Sequence, residues 1–94
     1  MKNLFIVVWQ GNYRVPCPWD DVEQESCEIR LRMPGESKFG NEFLCVIFDE
    51  MARRQFKKGD LVEADLGFHV VKLGKGSYRQ AVVVNHIQAV GKNG

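Results

Sequence analysis

The segment Cys27 to Met33 alternates without a break: Cys27, Ile29, Leu31 and Met33 share one parity, while Glu28, Arg30 and Arg32 share the other. A period of two separates these sets onto opposite faces of an extended chain, whereas a helix would mix them around its circumference. The segment is therefore a strand with one apolar and one charged face, and it needs neighbouring strands to cover the apolar one. Other stretches point the same way. Leu4 to Trp9 is a short β-branched and aromatic run closed by Gly11 and Asn12, and it resumes at Tyr13 to Val15. Phe43 to Phe48 is apolar throughout, as expected of a strand buried on both faces or nearly so.

Between these strands the chain is punctuated. Pro16 and Pro18 remove ladder donors, so Pro16 to Ser26 is an irregular acidic connection, and Pro34-Gly35 ends the second strand ahead of a loop over Glu36 to Asn41. Asp49 is placed to cap a short helix over Glu50 to Phe56, with Met51, Ala52 and Phe56 toward the core. Leu61 to Leu66 alternates again, bends at Gly67 and continues through Phe68 to Leu73. Gly74-Lys75-Gly76-Ser77 is a hairpin loop leading into a last strand, Tyr78 to Val90, ahead of a loose tail over 91–94. Five short strands with one short helix between the third and fourth is the layout of an all-β, Greek-key barrel of the oligonucleotide-binding (OB) type, as a single domain over residues 1–90.

Composition bounds what such a barrel does. Ninety-four residues make one core, and the apolar fraction of 45% is enough to fill it. No apolar run approaches the roughly 20 residues that cross a bilayer, and no secretory cleavage pattern follows Trp9, so a cytoplasmic protein is expected. Cys17, Cys27 and Cys45 are odd in number and match neither a disulfide framework nor a zinc knuckle; they are expected reduced, with Cys45 in the core. His69 and His86 lack further ligands at metal spacing, no nucleophile–base arrangement is visible, and the glycines at 74 and 76 lack the strand-to-helix context of a phosphate loop. A non-enzymatic protein without metal or cofactor is the expectation.

Charge is uneven along the chain. Asp20, Asp21, Glu23, Glu25 and Glu28 fall between Pro16 and Glu28 with no Lys or Arg among them. From Ile29 onward eleven basic residues stand against seven acidic ones, an excess of four positive charges that suits either a phosphate-facing side or an ordinary solvated surface.

The stretch Glu42-Phe43-Leu44-Cys45-Val46-Ile47-Phe48 with Met51-Ala52, then Phe56-Lys57-Lys58-Gly59-Asp60-Leu61-Val62, then Gly76-Ser77-Tyr78-Arg79 into Val82-Val83-Val84 resembles the bacterial single-stranded-DNA-binding proteins and their relative, primosomal replication protein N. The likeness covers Asn41 to Val90, about half the chain. It implies an OB-fold, single-stranded DNA binding that is largely independent of sequence, and assembly as a dimer or tetramer. The family's acidic, Phe-tipped C-terminal tail has no counterpart before Gly94, which points to an accessory role in replication or repair alongside other proteins of those processes.

The resemblance makes Phe43 the first candidate for stacking a base, although a phenylalanine in an apolar run is core more often. Arg30 and Arg32, on the charged face of the second strand, are candidates for phosphate contacts. Lys72, Lys75, Tyr78 and Arg79 flank the last hairpin, a loop such barrels use to grip ligands. Lys38 and Phe39 are placed to close over a bound strand. Trp19, in its proline-rich connection, is a further candidate, whereas Trp9 is expected in the core or at its rim. DNA and RNA are both open as the ligand. The alternative is a protein-interaction module on the same barrel, contacting its partner through Trp19 and the acidic segment 20–28. A continuous basic groove across the second, third and fifth strands separates the first reading from the second.

Overall fold

The computed structural model describes residues 1–19, 23–35, 42–72 and 74–92. Among the described residues five strands, β1 (Lys2–Gln10), β2 (Ser26–Arg32), β3 (Glu42–Phe48), β4 (Asp60–Lys72) and β5 (Tyr78–Lys92), follow one another with a single 3₁₀ turn, Asp49–Arg53, between β3 and β4. They join into a closed ring in the order β1-β2-β3-β5-β4, with β4 returning to β1. All neighbours are antiparallel except β3 and β5, which run parallel over Val46↔Val83 and Ile47↔Val84. The class is all-β and barrel-like.

The alternation of β2 appears as expected: Cys27, Ile29 and Leu31 are buried, and Glu28 and Arg30 are exposed. Register carries this parity round the ring. Leu31 faces Val7 on one side and Phe43 on the other, and Phe5 faces Val62, so the inward residues of neighbouring strands meet in one core. Phe5, Ile29, Leu31, Ile47, Leu66 and Ile87 are fully buried there. Each such side chain contributes about 1.5–3 kcal/mol by leaving water. Cys45 shares the core, and burial pushes its thiol pKa up to about 12.

Gln10 also points inward, at the end of the ring, and its amide serves as a two-way clamp. Its Nε2 donates to the Arg54 carbonyl at 2.7 Å, and its Oε1 accepts from the Phe56 N–H at 2.7 Å. The chain leaving the 3₁₀ turn is thereby tied to β1 without an unsatisfied buried polar group.

Four expectations are corrected. The short helix is a 3₁₀ turn of five residues, and Asp49 is not its cap: Asp49 lies inside the turn at φ 60, and its carboxylate accepts from Gln24 Nε2 at 3.0 Å. A short polar side chain tolerates that left-handed backbone better than most. β3 is not buried on both faces, because Leu44 is exposed and Val46 and Phe48 are half-buried outward residues. Residues 13–15 form only an isolated bridge, Arg14↔Ser26, rather than a resumed strand. Finally, β5 continues through Lys92.

The hairpin of β4 and β5 outruns the ring. β1 pairs with β4 only as far as Asp65, and β3 with β5 only at Val83 and Val84, so from Gly67 to Val83 the two strands pair mainly with each other. The molecule measures 42 × 28 × 20 Å. Gly74 (φ 65) and Gly76 (φ 77) supply the left-handed residues that the tip of this two-stranded arm needs.

Candidate nucleic-acid interface

A β-bulge decides where the largest side chain of β1 points. Val7 pairs with Leu31 and Trp9 with Arg30, so Val8 has no partner of its own. Strict alternation after Phe5 and Val7 would turn Trp9 into the core. The extra residue shifts the phase, and Trp9 emerges beside Arg30 on the outer face, 45% exposed. Its ring lies close over Gly11: a Cβ there would stand 2.8 Å from Trp9 Cη2.

Trp9 borders an open groove of about 1010 Å³ running along the outer face of β2 and β3, between the β1–β2 connection and the arm. Arg14 enters from the connection, Glu28 from β2, Phe48 from β3, and His69 and Arg79 from the arm, over a floor that includes Val46 and Val83. Among the described residues, Arg14 and Arg79 have no ion-pair partner. Two aromatic faces, two free guanidinium groups and one carboxylate therefore share one concave surface.

The connection forming one wall is held in place. The backbones of Arg14 and Ser26 exchange hydrogen bonds of 2.8 and 3.0 Å, and Gly11 N–H donates to the Glu28 carbonyl at 2.8 Å. Glu25 accepts from Arg53 Nε at 2.8 Å and Nη2 at 2.6 Å, and from the Tyr13 hydroxyl at 2.7 Å. The Arg53 guanidinium, with the Tyr13 hydroxyl second, holds the Glu25 carboxyl down at about 2. The same contacts raise the pKa values of Tyr13 and Arg53. This latch joins the connection to the 3₁₀ turn.

The residues expected at the interface are dispersed. Phe43, the first stacking candidate, sits opposite Leu31 and so faces inward, where its ring meets Phe5 edge-on at 5.9 Å and Phe68 at 6.2 Å. Arg30 does face outward, but its guanidinium is bound to Glu42. Arg32 lies further along that face, flanked by Ile6 and Glu42 and outside the groove lining. The hairpin candidates divide between the two faces of the arm. Arg79 pairs with Val71 on the groove side, while Lys72 pairs with Tyr78 on the opposite side, with Lys75 at the exposed tip. Trp19 is 87% exposed and stands outside the groove lining. Lys38 and Phe39 lie outside the described residues.

Trp9, Arg14, Phe48 and His69 are the groove residues that sequence reasoning missed. Trp9 was hidden by a bulge that leaves no mark in the sequence, and Phe48 by an apolar run whose two faces look alike. Arg14 had a signal, since it is a basic residue beside a turn, Gly11-Asn12, in the first connection. Among the described residues no three His, Cys, Asp or Glu side chains gather at a metal-sized site, and no helix is long and apolar enough to cross a membrane.

Compared with family models, with curated proteins and with solved structures, the chain matches none.

Proposed function

We propose that this protein captures single-stranded nucleic acid, DNA in the first instance and RNA by the same chemistry, as a non-enzymatic OB-type module accessory to replication or repair. The observation that carries the reading is the groove: Trp9 and Phe48 offer π-faces, and the unpaired Arg14 and Arg79 offer charge, in one open channel. It runs over β2 and β3 between the first connection and the last hairpin, the place where oligonucleotide-binding barrels take their ligand. Stacking contributes about 1–3 kcal/mol per base and tolerates any base, because every base has a π-face. Phosphates meeting the two arginines add attraction that weakens with salt. The resemblance over Asn41 to Val90 supports the same reading, and with it assembly as a dimer or tetramer.

A protein-interaction module is the second reading, and the charge pattern favours it. Among the described residues the basic side chains do not form a continuous track across β2, β3 and β5: Arg30 is tied to Glu42, Arg53 to Glu25, and Glu28 lines the groove itself. On the first reading, binding therefore leans on stacking more than on phosphate contacts.

Fluorescence anisotropy of labelled single-stranded oligonucleotides, titrated at low and moderate salt, separates the two. Two arginine–phosphate contacts give a slope of about −1.4 in log K against log salt. A shallow slope near that value supports the nucleic-acid reading, and no binding at low salt leaves the interaction module as the better account.

A further inference from the structure

A second bulge stands at the other side of the groove. Asp65 pairs with His86 and Leu66 with Val84, so Asn85 is the extra residue of β5, and its side chain is turned over Gly67. A Cβ on Gly67 would stand 2.9 Å from Asn85 Nδ2, 3.5 Å from Asn85 Oδ1 and 3.1 Å from His69 Nε2. The absence of a side chain at Gly67 is what lets the amide and the imidazole meet there. Among the described residues, no hydrogen bond engages the side chain of Asn85 or His69.

We propose that Asn85 and His69 read the edge of one base stacked on Phe48, and that they select bases whose Watson–Crick edge carries an exocyclic amino group beside a ring acceptor nitrogen, namely adenine and cytosine. The inference rests on the nucleic-acid reading above. Phe48 borders both the groove, which His69 also lines, and the adjoining cleft lined by Asn85, so a base stacked on it lies next to both polar groups. An Asn amide offers a donor and an acceptor side by side, and that pair matches an amino group next to a ring nitrogen. Asp49 and Glu50 line the same cleft. The amide alone pairs equally well with the ring N–H and carbonyl of thymine, so the choice rests on these carboxylates, which repel a phosphate and a base carbonyl and accept from an amino group. Phosphates are thus directed to Arg14 and Arg79, and a base edge to Asn85.

The test compares short dA, dC and dT oligonucleotides of equal length by anisotropy, with the wild type, Asn85→Leu and Gly67→Ala. Asn85→Leu keeps side-chain volume but removes the hydrogen bonds, and Gly67→Ala displaces the amide and the imidazole without touching either aromatic or arginine of the groove. The wild type is expected to prefer dA and dC over dT by about tenfold, the discrimination of one bidentate pair. Both variants are expected to lose that preference while binding dT within about twofold of wild type. Equal wild-type affinities, or a preference that survives Asn85→Leu, overturn the base-reading pair and leave the groove intact as a stacking site. Failure of all three oligonucleotides to bind at low salt instead overturns the nucleic-acid reading itself, and this inference with it.

Discussion

β4 and β5 live in two environments along their own length. Within the ring, Val62, Ala64, Leu66, Val84 and Ile87 are fully or almost fully buried, held by strands on both sides. Beyond Gly67 the same two strands keep their pairing, but Phe68, Val70, Val71 and Tyr78 are all exposed. The ring is held together by burial, and the arm chiefly by its ladder, with Val82 packed against the core at its base and Phe68 touching Phe43. The residues that make the groove are not the ones that make the core, so on the proposed function stability and binding are separable.

The sharpest way to break that comparison is a pair of truncations. Phe5→Ala in the ring is expected to cost about 3–5 kcal/mol in denaturant unfolding, the usual loss for a buried phenylalanine. Phe68→Ala on the arm should cost no more than about 1.5 kcal/mol, since it removes chiefly an edge-to-face aromatic pair. Equal losses would mean that arm and ring form one cooperative core.

Next in size is Trp9→Ala. Binding to a single-stranded oligonucleotide is expected to weaken by about 1–3 kcal/mol, the contribution of one stacked base, with the unfolding midpoint nearly unchanged. A large fall in the midpoint would return Trp9 to the core.

The two faces of the arm provide a smaller contrast. Arg79→Ala is expected to lower the salt slope of binding by about 0.7, the share of one of two phosphate contacts, whereas Lys72→Ala, on the opposite face, should leave it as it was. Identical effects would show that charge acts through the field of the whole arm rather than at the groove.

The smallest effect concerns the latch of the β1–β2 connection. Because the folded state holds the Glu25 carboxyl at about 2, below its ordinary 4.5, the stabilisation is fully present above that ordinary value and is lost as pH falls through about 2. An NMR titration of the Glu25 carboxyl should have its midpoint near the lower value. Glu25→Gln should speed exchange of the Arg14 amide at neutral pH without affecting amides of the ring. A midpoint at the ordinary value would mean that Arg53 and Tyr13 do not hold Glu25 in solution.

How much of this was legible beforehand differs from strand to strand. β2 declared itself, because charged and apolar residues alternate and only one assignment of faces buries the right set. The tip of the arm was equally plain from Gly74 and Gly76. In β3 every residue from Phe43 to Phe48 is apolar, so parity could not be read, and pairing of Phe43 with Leu31 settled which face went inward. The resemblance placed the binding aromatic on Phe43, while the groove is bordered instead by Phe48, on the other face of the same strand. Trp9 is the clearest case. Val8 differs in no visible way from Val7, and a bulge exists only relative to the strand opposite.

The sequence alone determined that this chain is a set of short strands needing mutual cover, where the turns fall, and which face of β2 is wet. Periodicity and turn chemistry are local, and both are written in neighbouring residues. Tertiary structure alone decided the closing of the ring, the bulges at Val8 and Asn85, and therefore which side chains share the groove. Those depend on how strands are registered against one another, and register is set by partners far away in the chain.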